Sequence, residues 1–130
     1  MGLDMYLDGI IKRYQVHDYN IGYIKTSVEI GYWRKANAIH KWFVDNIQGG
    51  VDNCATYSLD KTDLLKLKET CEQVLKDMSL AEELLPTQEG FFFGNTEYGE
   101  DYIYDLKETI KICEWALSKE YDWFEYSSSW

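Results

Sequence analysis

Residues 32–47 read YWRKANAIHKWFVDNI and are followed by Gly49 and Gly50; this stretch decides the fold. Its apolar side chains recur at steps of three and four, which is the period of a helix with one buried face. Two glycines in succession are a common signal for the end of a helix. The sequence therefore predicts a first helix over residues 32–47.

The residues before this helix favour strands. Leu3, Met5 and Leu7 alternate with polar side chains, which predicts a strand over residues 2–8 with one buried face. Residues 9–29 contain short β-type runs separated by turn signals. This stretch is typical of a hairpin or of a long loop that covers a site, and both alternatives stay open.

The residues after this helix indicate two more helices. Asp60 is placed to cap a helix whose apolar stripe runs to residue 78, and a third helix begins near Glu100. Residues 54–59 predict a short extended segment, and residues 121–126 alternate weakly, as in an edge strand. The predicted fold is α+β, with three amphipathic helices packed on a small, mostly antiparallel sheet.

Length, charge and cysteine usage narrow the class of protein. A chain of 130 residues predicts a single domain over residues 1–130. The net charge of −10, with no dense cluster of Lys and Arg, argues against direct binding of nucleic acid, and no apolar run reaches the length of a membrane span. The three cysteines lack the spacing of a disulfide framework or a zinc site, which favours a reducing cytoplasm.

The aromatic content points to a pocket or an interface. The chain contains five Trp, eleven Tyr and five Phe, or 16% of its residues. A tyrosine buries its ring while its hydroxyl stays available to water or a ligand. We therefore expect a pocket with a partly polar lining, or a surface that binds a partner.

The first candidate for a binding site is the basic cluster in the predicted first helix. On a helix, Arg34, Asn37 and Lys41 lie along one edge, and Lys35 is adjacent in sequence. Such a row can bind phosphate or carboxylate through charge-assisted hydrogen bonds. The alternative is a solvated boundary row that forms salt bridges with neighbouring acids.

His40 lies between this row and the apolar face of the predicted helix. A histidine there can act as a general base if a positioned partner activates it, but no local motif supplies one. The alternative is a hydrogen-bonded histidine at the edge of the core.

The second candidate is the segment 86–96, which holds three consecutive phenylalanines between Gly90 and Gly94. Thr87 and Gln88 supply donors and acceptors, and a Phe ring can stack on a planar ligand. The glycine spacing is not that of a phosphate-binding loop. The alternative is that the phenylalanines fill the core from a loop.

The third candidate is acidic and consists of Glu97, Glu100, Asp101 and Asp105. Asp101 and Asp105 are one helical turn apart, but the run lacks the pattern of a calcium loop. Acids of this kind commonly stabilise the positive end of a helix. We therefore predict no metal site, and no known catalytic motif is present.

Three blocks resemble a small uncharacterised family encoded by phages and prophage-bearing bacteria. They are residues 2–7 (GLDMYL), 29–43 (EIGYWRKANAIHKWF) and 84–94 (LLPTQEGFFFG). The resemblance implies a setting in the cytoplasm of the host cell, where small phage accessory proteins often antagonise a host system. It implies no activity, fold or set of functional residues.

Three hypotheses follow. The first is a non-enzymatic phage accessory protein that binds a small anionic, nucleotide-like ligand and sequesters a host defence signal, with no cofactor. The second is an acidic inhibitor, resembling anti-CRISPR proteins, that docks on a basic host protein which itself binds nucleic acid. The third is a small enzyme with His40 as base and an acid from Asp4 or Asp101. The ligand-binding residues predicted for the first hypothesis are Arg34, Lys35, Asn37, His40, Thr87, Gln88, Phe92, Tyr98 and Tyr104.

Overall fold

The computed structural model describes residues 2–17, 20–90 and 93–130. Its elements, in chain order, are β1 (Asp4–His17), β2 (Asn20–Arg34), α1 (Asn37–Asn46), β3 (Tyr57–Leu59), α2 (Lys61–Lys76), a 3-10 turn (Met78–Leu80), α3 (Ala81–Leu84), α4 (Glu100–Ser118) and β4 (Trp123–Ser129). The fold is α+β, which confirms the predicted class. In the part of the chain described, no helix is long and apolar enough to cross a membrane.

The four strands form one antiparallel sheet in the order β2-β1-β4-β3. The hairpin alternative for residues 9–29 is therefore correct, and the first strand extends well beyond the predicted residue 8. The strand predicted at 121–126 is present as β4, but its predicted position at an edge is wrong, because β4 lies inside the sheet between β1 and β3. The register between β1 and β2 shifts once, where Leu7 faces Gly31 and Asp8 faces Glu29, so that Ile30 is an extra residue.

The helices cover one face of this sheet and enclose the core. Alternate residues of β1 and β4 are fully buried against them, and the rings of Phe43 from α1 and Tyr126 from β4 stack at 3.8 Å. Cys71 of α2 and Cys113 of α4 are both fully buried, as their apolar stripes predict.

The two later helices begin where the sequence predicts. Asp60 caps α2 by accepting a hydrogen bond from the backbone N–H of Asp63 at 3.1 Å, and the Asp63 carboxylate accepts one in return from the Asp60 N–H at 3.0 Å. The third predicted helix, α4, begins at Glu100.

The first helix begins at Asn37, and the prediction that it starts at residue 32 is wrong. Residues 32–34 end β2, in which Trp33 is buried while Tyr32 and Arg34 are exposed. Lys35 has a φ of 56°, a conformation that separates the strand from the helix. A step of three from Trp33 to Ala36 fits a helix as well as a strand end followed by a turn, because both residues are buried either way.

Candidate functional site

A cavity of about 320 Å³ lies where β2 ends, between the start of α1, Thr87 with residues 94–97, and the first turns of α4. This volume lies in the range of about 300 to 1,000 Å³ that small-molecule sites occupy. Five of the residues predicted to bind a ligand line it: Arg34, Lys35, Asn37, Thr87 and Tyr104. The fold therefore brings the first two candidate regions together.

Three other predicted residues do not line this cavity. His40 is buried in the core, and Tyr98 packs against the core beside Tyr102 with its hydroxyl accepting a hydrogen bond from the Thr87 backbone N–H at 3.2 Å. Gln88 donates its backbone N–H to Oδ1 of Asn37. Phe92 lies outside the described residues.

Asn37 clamps the loop to the start of α1. Its Nδ2 donates to the backbone oxygens of Phe93 at 2.9 Å and Asn95 at 2.8 Å, and its Oδ1 accepts from the backbone N–H of Gln88 at 3.0 Å. These bonds use both amide donors of a buried side chain. Asn37 therefore shapes the cavity, and the predicted helical edge with Arg34 does not exist, because Arg34 belongs to the strand.

Arg34 and Lys35 form the positive wall of the cavity. Both side chains are exposed, and within residues 2–17, 20–90 and 93–130 neither forms an ion pair. Gly94 has a φ of 85°, and a Cβ on it would lie 3.1 Å from the Cβ of Lys35. A glycine here lets the loop pack closely against the lysine stem.

Glu97, Asp101 and Asp105 also line the cavity and form its negative wall. Asp101 and Asp105 lie one turn apart on α4, so their carboxylates share one side of the helix. Asp101 accepts a hydrogen bond from Asn95 Nδ2 at 3.2 Å, whereas Asp105 has no ion pair among the described residues. Burial, and secondly the charge of Asp101, raises the pKa of Asp105 to about 7.

The sequence predicts that these acids stabilise a helix end and form no metal site. Their one-turn spacing is visible in the sequence, but their place in the same cavity as Arg34 depends on how the loop folds. Among the described residues, no group of three His, Cys, Asp or Glu side chains is placed to share a metal ion. These acids supply hydrogen-bond acceptors to a cavity that Arg34 and Lys35 also line.

The mouth of the cavity is aromatic. Tyr104 lies on α4 between the two aspartate positions and is 63% exposed, so one face of its ring is open to a planar group. Tyr102 lies deeper, with its hydroxyl donating to the backbone oxygen of Leu85 at 2.8 Å. A flat ligand can therefore contact a ring at the rim while its polar atoms reach the charged walls.

His40 belongs to a separate, buried network. Its Nδ1 lies 2.6 Å from the hydroxyl of Tyr126, and its Nε2 lies 3.0 Å from Oδ1 of Asp52, which also accepts from Nε1 of Trp130 at 3.0 Å. A neutral imidazole satisfies all three groups if Tyr126 donates to Nδ1 and Nε2–H donates to Asp52. Burial lowers the pKa of His40, although Asp52 opposes the shift. The interpretation of His40 as a hydrogen-bonded core histidine is confirmed.

No family model, curated protein or solved structure matches this chain.

Proposed function

We propose that the protein binds a small, nucleotide-like molecule in the cavity and does not transform it. An anionic group of the ligand lies against Arg34 and Lys35, and N–H donors of its planar part face Asp101 and Asp105. One observation carries this proposal: among the described residues, charges of both signs face a single cavity without forming ion pairs with each other.

The positive wall suits a phosphate or carboxylate. The guanidinium of Arg34 offers donors in a fixed fork, which matches two oxygens of such a group, and Lys35 adds a second charge beside it. Neither cation is neutralised by a described acid, so both are available to a ligand.

The negative wall changes the expected class of ligand, because the sequence alone predicts a purely anionic molecule. A ligand with anionic groups alone would meet unfavourable charge at Glu97, Asp101 and Asp105. A nucleobase carries N–H donors at one edge, and a carboxylate accepts two of them from guanine. Tyr104 at the rim adds a ring on which the base can stack.

The proposal is limited to binding because, among the described residues, no histidine, cysteine or serine lines the cavity. The carboxylate of Asp105, whose raised pKa of about 7 would also suit a general base, serves in this proposal as a hydrogen-bond acceptor for the ligand. Binding alone would suit a phage accessory protein that removes a host defence signal, which is the setting implied by the sequence resemblance.

Isothermal titration calorimetry tests the proposal. We expect GMP to bind the purified protein more tightly than UMP, because guanine presents two adjacent donors, and inorganic phosphate to bind weakly. Arg34→Ala and Asp105→Asn are each expected to weaken GMP binding at least tenfold, or about 1.4 kcal/mol. Lys61→Ala, which removes an exposed lysine of α2, is the matched control and is expected to bind as wild type.

Two results would contradict the proposal. One is the absence of heat with all four ribonucleoside monophosphates at millimolar concentration. The other is an equal loss of affinity in Arg34→Ala and in the Lys61→Ala control, since this would reflect general charge and not the cavity.

A further inference from the structure

The outer edge of β2 is unpaired in the sheet, and of this strand only Arg34 lines the cavity. β2 is the last strand on its side of the sheet, and residues 22–29 are exposed on both faces. Beyond the pair formed by Ile10 and Trp123, β1 and β2 continue without β4. We call the paired residues 11–17 and 20–26 the hairpin arm.

Within one copy, the described part of the arm is held to the rest of the chain by polar contacts of Lys12 and Arg13 with Asp122 and of Lys25 with Glu125. A hairpin of two strands is marginally stable in water, whereas three or more strands with a packed face are stable. An unpaired edge of extended backbone is also a template for another strand. The arm contains exposed side chains that suit such pairing, including Tyr23 at 58% and Ile24 at 49% exposure.

The sequence of β2 is complementary to itself around Ser27. In an antiparallel pair of two β2 strands centred on Ser27, Lys25 faces Glu29 of the second copy and Thr26 faces Val28 of the second copy. Lys25, Ser27 and Glu29 lie on one face of the sheet, because side chains two residues apart on a strand point the same way. The register therefore forms two equivalent Lys–Glu pairs on one face.

The distribution of charge favours contact at this place. Residues 8–29, which include the proposed contact, carry three cations and three acids and are neutral overall, and the remaining ten cations and 20 acids give −10. Two copies that approach through the arm avoid the repulsion between their acidic surfaces. The extra residue Ile30 ends the regular pairing, which limits the contact to a short segment.

We infer that two copies of this chain associate through antiparallel pairing of β2 with β2, with Ser27 on the twofold axis. The pairing covers the part of the β2 edge around Ser27 in both copies and joins the two β1–β2 hairpins there. It is independent of the proposed function, because the cavity lies at the opposite end of β2, beside Arg34.

Cysteine cross-linking tests the register. In a Cys54→Ser background, which removes the exposed thiol, Ser27→Cys is expected to form an intermolecular disulfide on mild oxidation, since residues on the axis face each other at about 4.5 to 5.5 Å. Ser58→Cys, at an exposed position of β3 on the other edge, is the control and is expected to form no intermolecular disulfide, because β3 does not take part in the pairing. Light scattering of the unmodified protein should give twice the monomer mass at high concentration.

A charge exchange tests the pairing independently. Lys25→Glu and Glu29→Lys are each expected to raise the dimer dissociation constant about tenfold, and the double variant is expected to recover most of the loss. Lys25 also bonds to Glu125 of its own chain at 2.9 Å, so Glu125→Gln is the control that breaks this contact and leaves the dimer intact.

The inference is overturned by a monomer mass at every concentration together with equal cross-linking of Ser27→Cys and Ser58→Cys. It is also overturned if the double exchange weakens association by the sum of the two single changes.

Discussion

Replacing Asp105 by asparagine is expected to stabilise the protein at alkaline pH. Burial raises the pKa of this carboxyl to about 7, compared with 3.8 for an ordinary aspartate. A pKa difference of about three corresponds to about 4 kcal/mol of differential free energy. Because the side chain is only partly buried and water screens its charge, we expect about half of that, or about 2 kcal/mol.

The sign of this pH dependence is set by whether the folded or the unfolded state binds the proton. Between pH 4 and 7 the folded protein holds a proton on Asp105 that the unfolded chain has lost, so wild-type stability falls as the pH rises through this window. The substituted asparagine amide has no such proton to lose. Asp105→Asn should therefore gain about 2 kcal/mol over wild type at pH 8 and close to nothing at pH 4.

Urea denaturation at pH 4, 6 and 8 measures this difference. Glu69→Gln, at an exposed position of α2, is the control and should show no such dependence on pH. An equal gain for Asp105→Asn at pH 4 and pH 8 would refute the reasoning, since the effect would then not arise from ionisation. The same substitution is expected to weaken ligand binding, so the site keeps its carboxylate at the expense of stability.

Three other outcomes are expected. His40→Ala should lower the free energy of unfolding by about 3 kcal/mol, measured by urea denaturation, because it leaves a cavity and a buried tyrosine hydroxyl without a partner. Cys71 and Cys113 should resist a thiol reagent in the native protein, as counted by mass spectrometry, and each change to alanine should cost about 1 to 2 kcal/mol. Gly31→Ala should lower the melting temperature, because its Cβ would lie 2.6 Å from an isoleucine methyl of α4, whereas Gly22→Ala meets no neighbour and should not.

The local parts of the fold could be predicted from the sequence. The apolar stripes of α2 and α4, the cap at Asp60 and the buried alternation of Leu3, Met5 and Leu7 each depend on neighbouring residues. The position of β4 inside the sheet could not, because it depends on pairing with a strand more than 100 residues away. The predicted start of the first helix was wrong because a strand and a helix bury the same residues near Lys35.

The candidate site was predictable to the same extent. The sequence identified Arg34, Lys35, Thr87 and Tyr104 by their chemistry, and the fold placed them around one cavity. It did not reveal that Asp105 lines the same cavity as Arg34 and Lys35. That juxtaposition requires the loop conformation that Asn37 fixes through bonds to backbone groups more than 50 residues later in the chain.

The central place of β1 in the sheet has a consequence for how the chain folds. Hairpin pairing of β1 with β2 is local, but the other edge of β1 pairs only with β4, as in the contact of Ile10 with Trp123. Contacts between residues so distant in sequence form late and slow the search for the native state. We therefore expect Phe124 and Tyr126 of β4 to pack into the core after the β1–β2 hairpin has formed.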